Sequence, residues 1–123
     1  MRIIVNSLER RSPGSDADYA ARVLVVNRFR DPDPAFRADL EAALAVLSAQ
    51  TGCEDGRLGR NVDDPSLWVM VSRWRDVGSY RRALSSYDVK VGAVPLLSRA
   101  IDEPSAFEDV DGELNESIPR STT

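Results

Sequence analysis

Apolar and polar residues alternate along residues 22–30, RVLVVNRFR, with the two-residue period of a half-buried strand. Val23, Val25 and Phe29 share one face of the predicted strand, and Asn27 stands in the same row. A buried amide without hydrogen-bond partners costs about 1 to 3 kcal/mol. We therefore expect a partner for the Asn27 side chain, and a bound ligand is one candidate.

Residues 33–52 carry the signals of a helix and of both its ends. Asp33 is the predicted N-cap and Pro34 the predicted first helical residue. The pair Thr51-Gly52 predicts the C-terminal end. Between them, apolar residues recur at helical spacing and predict one buried face: Phe36, Leu40, Ala43, Leu44 and Leu47.

A hairpin is predicted next, with a weak strand at residues 54–62, a turn at NVDDPS and a clear strand at residues 67–75. In the second strand Met70, Ser72 and Trp74 fall on one face together with Trp68. The other face is also largely apolar, so we expect both faces to be covered.

The second half of the chain repeats the helix-to-strand order. Asp76 is predicted to cap a helix over residues 77–86, and a second helical segment over residues 88–97 is interrupted by Pro95. A short strand is predicted within residues 105–110. The order β-α-β-β-α-β predicts an α+β, ferredoxin-like sheet with its helices on one face.

The sheet face away from the helices predicts a partner. Its residues are Leu24, Val26, Leu67, Val69 and Val71. An apolar patch of this kind on a soluble protein usually meets another surface, and a homodimer is the simplest solution.

The chain has 123 residues, which suits one folded domain. We expect that domain to span residues 22–110. Residues 1–21 are predicted to be an N-terminal extension with a possible extra strand, and residues 111–123 an acidic, flexible tail that is dispensable for folding.

Composition excludes several classes of chemistry. The chain has no histidine and one cysteine, so it offers no Ser-His-Asp or Cys-His pair and no histidine-ligated metal.

Residues 102–123 hold seven acidic residues and one arginine, which leaves 15 basic and 13 acidic residues in the first 101. A nearly neutral domain does not predict nucleic-acid binding. No apolar run approaches membrane-spanning length, and with a single cysteine we expect a cytoplasmic protein that does not act on membranes.

Three segments carry a family resemblance: VVNRF in the first strand, the stretch from TGC to GRLGRNVDDPS, and VMVSRWRDVGSYRRALSS. The last is the more specific, because it joins a strand ending in Trp to a helix with an aromatic residue on its inner side. Over roughly residues 22–110 the chain resembles the antibiotic biosynthesis monooxygenase family. The resemblance implies a dimeric α+β barrel with a pocket inside each protomer, between the sheet and its helices.

The same resemblance implies site residues. The haem-degrading branch of the family uses an Asn of the first strand, a Trp ending the third strand and a His on the later helical segment. Asn27 and Trp74 match the first two, whereas the His position falls near Ala93 in a chain without histidine. The implied activity is a monooxygenase that needs no metal or other cofactor and combines O2 with a small phenol- or anthrone-like aromatic. Asn27 and Trp74 would be catalytic, and the substrate-binding residues would be Val25, Met70, Ser72, Tyr80, Leu84 and Tyr87.

Each of these assignments has a structural alternative. Trp74 could be a core aromatic with its N–H on a carbonyl, and Asn27 an amide that ties neighbouring loops together. The tyrosines could be packing residues. For the whole protein, the alternatives are a non-catalytic dimeric module that binds a small molecule and a haem-binding or haem-degrading relative.

Overall fold

The structure, a computed structural model, describes residues 21–111. The predicted N-terminal extension, with its possible extra strand, and the acidic tail lie outside these residues, apart from Ala21 and Asp111 at their borders.

Four strands and four helices follow one another in the described chain. Their bounds are β1 Val23–Arg30, α1 Phe36–Ser48, β2 Cys53–Arg60, β3 Leu67–Trp74, α2 Val77–Ser85, α3 Tyr87–Gly92, α4 Val94–Leu97 and β4 Ala106–Glu108. The strands form one sheet in the order β2-β3-β1-β4, and every neighbouring pair is antiparallel. This is the predicted α+β, ferredoxin-like arrangement, so the fold prediction is confirmed.

Two helix boundaries differ from the prediction. Helix α1 begins at Phe36 and not at Pro34, because residues 33–36 form a tight turn in which the Phe36 N–H donates to the Asp33 carbonyl over 3.0 Å. The Asp33 side chain accepts from the Ala35 N–H within that turn, over 2.9 Å. The predicted segment 88–97 is two short helices, because Ala93 leaves the helical conformation with φ −131° and Pro95 has no N–H to continue the ladder.

Helix α2 begins as predicted. The Asp76 side chain accepts a hydrogen bond from the Ser79 N–H over 2.7 Å, which satisfies one of the free donors of the first turn. The cap is itself almost fully buried, so it also fixes where α2 starts against the end of β3.

The core lies between the inner face of the sheet and the helices. Phe29, Phe36 and Trp68 meet edge to face at one end, with ring centroids 5.6 and 6.1 Å apart. The remaining core is contributed by both layers: Val23, Val25, Met70 and Trp74 from the sheet, and Leu40, Ala43, Leu47, Ala83, Val89 and Ala93 from the helical side.

Gly52 joins the end of α1 to β2 at the one positive φ of the described chain, +92°. Its carbonyl accepts from the Arg75 N–H over 2.8 Å. A Cβ at this position would collide with the side chain of Ser79 at the start of α2. Both the backbone conformation and the close approach therefore require glycine here.

We expect Gly52→Ala to lower the free energy of unfolding by about 2 to 5 kcal/mol, because a left-handed residue and an overpacked contact are combined. Urea denaturation measures the change. The matched control is Gly78→Ala inside α2, where the nearest atom to a new Cβ is the mobile end of Arg82 at 3.2 Å. That change should be neutral or stabilising by up to about 1 kcal/mol. Equal losses in the two variants would contradict this account of Gly52.

Candidate functional site

The inner face of the sheet carries five of the predicted site residues. In the β1–β3 ladder, Asn27 lies opposite Met70, Val25 opposite Ser72, and Val23 opposite Trp74. Strand alternation therefore places all of them in two adjacent rows. Asn27 and Trp74 are four ladder positions apart, which is about 13 Å along the strands at about 3.3 Å per residue.

These residues differ sharply in exposure. Val25, Met70, Ser72 and Trp74 are between 0% and 2% exposed, so they are sealed into the core. Asn27, by contrast, is only half-buried, as are Tyr80 and Leu84 on α2. A ligand on the inner side of the sheet would therefore meet the second group first.

The indole of Trp74 already has a hydrogen-bond partner. Its N–H donates to the Ser72 hydroxyl oxygen over 2.9 Å, and both groups are buried. Its ring packs against the ring of Tyr80, with centroids 5.4 Å apart and planes inclined by 55°. The N–H that the family resemblance offers to a substrate is thus engaged within the protein.

Asn27 and Tyr80 carry unused polar groups. Within residues 21–111, neither the Asn27 amide nor the Tyr80 hydroxyl makes a side-chain hydrogen bond. Burial raises the pKa of the Tyr80 phenol above its ordinary value, so the hydroxyl is protonated at neutral pH. Both groups can donate to an oxygen atom of a ligand.

Tyr87 does not join this group. It begins α3 and is 78% exposed, whereas Val89, two residues further along the same helix, is fully buried. Two residues of a helix turn through about 200°, so the phenol points away from the core. Ala93, near the position of the family's histidine, is fully buried at the end of this helix.

Sequence reasoning missed two features. It placed Ser72 at the site without recognising it as the acceptor for Trp74; the available signal was their two-residue spacing on one strand face. It also missed a cleft of about 430 Å³ between the start of α1 and the β2–β3 hairpin. The cleft contains none of the predicted site residues, and its lining is Pro34, Arg37, Leu40, Glu41, Leu58, Gly59, Arg60 and Trp68.

The charged side chains of that cleft either pair with each other or lie over an aromatic ring that lines it. Arg37 and Glu41 form an ion pair of 3.2 Å, and the Arg60 guanidinium lies 5.5 Å from the Trp68 ring centroid. No motif in the sequence marks this place.

Residues 21–111 lack the features of a metal site and of a membrane-spanning helix. They contain no group of three or more Cys, Asp or Glu side chains placed to hold a metal ion. None of their helices is both long and apolar enough to cross a membrane.

With this geometry established, comparison with known proteins identifies the class. Residues 22–93 match the antibiotic biosynthesis monooxygenase family. The match covers more than half of the sequence, and the chain belongs to this family. A comparison with curated protein sequences gives no significant match.

Solved structures agree with the family. SnoaB, a cofactor-independent oxygenase from Streptomyces nogalater, is 25% identical, with a TM-score of 0.62 over 82% of this chain and 100% of that one. A putative antibiotic biosynthesis monooxygenase from Chloroflexus aurantiacus is 22% identical, with a TM-score of 0.57 over 72% and 93% of the two chains. A putative member from Bordetella bronchiseptica is 20% identical, with a TM-score of 0.53 over 72% and 97%. These matches support a monooxygenase-like family fold.

We expect Ser72→Ala to destabilise the protein by about 1 to 3 kcal/mol, because it leaves the buried Trp74 N–H without an acceptor. Trp74→Phe removes the donor and orphans the Ser72 hydroxyl instead. The double variant removes both partners, so its loss should be smaller than the sum of the two single losses by about 1 kcal/mol. Urea denaturation of the four proteins measures this coupling, and strictly additive losses would argue against the hydrogen bond.

Proposed function

We propose that this protein is a cofactor-independent monooxygenase that inserts oxygen from O2 into a small aromatic substrate of the phenol or anthrone type. The observation that carries the proposal is the half-buried Asn27 amide on the inner sheet face, which has no side-chain hydrogen bond within residues 21–111. Family membership supports it, as does the 25% identity to an oxygenase described as cofactor-independent. We further propose that it works as a cytoplasmic homodimer.

The chemistry asks little of the protein beyond binding and electrostatics. A deprotonated, electron-rich ring passes one electron to O2, and the radical pair combines to form a carbon–oxygen bond. The peroxide anion takes up a proton from water, and the hydroperoxide then loses water, with the remaining hydrogen of the same carbon, to leave a carbonyl. The protein must hold the ring and stabilise the anionic oxygen. In this proposal the half-buried Asn27 amide and Tyr80 hydroxyl donate to oxygen atoms of the substrate, and Leu84 offers apolar surface to the ring.

The substrate proton leaves to water in this proposal. Tyr80 is protonated at neutral pH, so it is a donor and not a base. Asp76 is the one buried carboxylate of residues 21–111. Burial raises the pKa of Asp76, but hydrogen bonds from Ser79 and the charge of Arg75 outweigh it, so the pKa lies below its ordinary value. A carboxylate stabilised in this way is a weak general base.

A second candidate is a non-catalytic module that binds a small aromatic molecule. The tight packing favours it: Met70 and Trp74 are completely buried, and the Trp74 N–H is satisfied inside the protein. Turnover separates the two candidates, because a binding module would take up the ligand without consuming oxygen.

We expect Asn27→Ala to reduce turnover of a hydroxyanthrone about 100-fold, because loss of one oxyanion donor typically costs 10² to 10³ in kcat. Its free energy of unfolding should change by less than about 1 kcal/mol, because within residues 21–111 no protein group loses a hydrogen bond. Oxygen consumption and urea denaturation provide the two measurements.

Asn61→Ala is the matched control. The Asn61 side chain accepts from the N–H groups of Asp63 and Asp64, each over 2.9 Å, so it holds the β2–β3 turn. This variant should lose about 0.5 to 1.5 kcal/mol of stability and retain turnover in its folded fraction. If Asn27→Ala behaved in the same way, the proposed role of Asn27 would be wrong.

The outer sheet face supports the proposed dimer. Leu24, Val26, Val69 and Val71 lie there in adjacent ladder positions and are only half-buried. Phe107 of β4 pairs with Leu24, extends the same face and is 49% exposed. Covering this surface with a second copy would remove it from water.

We expect Val71→Asp to convert the dimer into a monomer, because it places a charge opposite Val26 in the middle of the apolar face. Light scattering at micromolar concentration measures the mass. Val62→Asp is the control, since Val62 is 95% exposed in the β2–β3 turn, and it should leave the mass unchanged. A wild-type protein that is already monomeric would remove the dimer proposal.

A further inference from the structure

We propose that Trp74 is a positioning residue: it does not touch the ligand but holds the ring of Tyr80, which does. The hydrogen bond to Ser72 fixes the indole of Trp74 in place. The inference rests on the proposed function and adds which residue of that site binds the ligand and which residues hold it in position. In this arrangement Tyr80, and not Trp74, presents the group that the ligand meets.

Trp74 and Tyr80 differ in how accessible they are to a ligand. Trp74 is 0% exposed and Ser72 is 2% exposed, whereas Tyr80 remains partly open. Part of the Tyr80 side chain is accessible from outside the core, whereas a ligand would have to displace core side chains to reach the indole. Close-packed cores resist such displacement, because each shifted side chain loses its own contacts.

Trp74 and Tyr80 also differ in hydrogen bonding. The Trp74 N–H is its only polar group, and it donates to Ser72 over 2.9 Å in a buried setting. Giving this bond up to a ligand would leave the Ser72 oxygen without its donor, which costs about 1 to 3 kcal/mol. The Tyr80 hydroxyl has no bond of this kind within residues 21–111, so it donates to a ligand without that loss.

The geometry of β3 and α2 couples Ser72 and Trp74 to Tyr80. Ser72 and Trp74 are alternate residues on one face of β3, so the serine fixes the rotation of the indole plane. That plane lies against the Tyr80 ring with a 5.4 Å centroid separation. A tyrosine has only two side-chain torsions, and a rigid neighbour on its ring restricts both. The direction of the Tyr80 hydroxyl is therefore set by the Ser72–Trp74 pair.

The experiment is a double-mutant cycle read by equilibrium binding of 4-nitrophenol at a pH where the phenolate is present. Tyr80→Phe should weaken binding about tenfold, because one hydrogen bond to a charged oxygen is lost. Trp74→Leu removes the ring behind Tyr80 and should weaken binding by a similar factor. The double variant Trp74→Leu/Tyr80→Phe should bind no more weakly than the worse single variant, because both changes disable the same contact.

One further double variant keeps the test decisive if Trp74→Leu does not fold. Ser72→Ala/Trp74→Phe removes the indole N–H and its acceptor together, so an aromatic ring stays behind Tyr80 but is no longer held by the hydrogen bond. It should weaken binding of 4-nitrophenol by up to about tenfold. In spectra of tyrosine-labelled protein, the ring signals of Tyr80 should move when the indole is removed, while those of the exposed Tyr87 stay in place.

The outcomes separate the inference from the proposed function. Multiplied losses near a hundredfold in the cycle, unchanged binding by Ser72→Ala/Trp74→Phe, or undiminished binding by Tyr80→Phe would each overturn the role given to Trp74. Failure of the wild-type protein to bind 4-nitrophenol would overturn it as well. A cycle that behaves as expected in a protein that consumes no oxygen with a hydroxyanthrone would support the inference and reject the monooxygenase.

Discussion

The antiparallel pairing of β1 with β3 is the constraint on which the rest of the structure depends. It places Val25, Asn27, Met70, Ser72 and Trp74 in two adjacent rows on one face and their alternating neighbours on the other. A shift of one residue in this register would exchange the two faces and expose the core row. The apolar residues of the inner row therefore specify the register, and the polar residues among them are placed as a consequence.

The connections at the Trp74 end of the sheet determine where α2 lies relative to β3. Gly52 passes close to Ser79, the Arg75 N–H binds the Gly52 carbonyl, and Asp76 caps the helix. These contacts fix the start of α2, so that Tyr80 lies against Trp74 one turn later. A site that joins a strand residue to a helix residue needs this kind of rigid corner, because small errors in helix position become errors in the direction of a hydroxyl group.

The far edge of the sheet is held by a different set of interactions. Arg28 and Glu103 form a two-point ion pair of 2.7 and 2.8 Å, and the Ile101 N–H donates to the Arg28 carbonyl. The side-chain bond to Arg28 holds the pKa of Glu103 below its ordinary range. This pair is partly exposed to solvent, so its contribution to stability is small, and its main effect is to fix the path of the chain from α4 back to β4. That return puts Phe107 beside Leu24 and completes the outer apolar face.

The sequence by itself determined the order of strands and helices, the two faces of β1 and β3 and the absence of histidine chemistry, because these follow from local periodicity, caps and composition. It placed Asn27 and Trp74 on one face, but it could not place them about 13 Å apart along the ladder or show which of them is exposed. Only the tertiary structure decided that Ser72 accepts the Trp74 N–H, that Tyr80 is open while Trp74 is sealed, and that Tyr87 points outward. Strand alternation fixes the face of a side chain, whereas its neighbours, burial and hydrogen-bond partners depend on how the helices pack over that face.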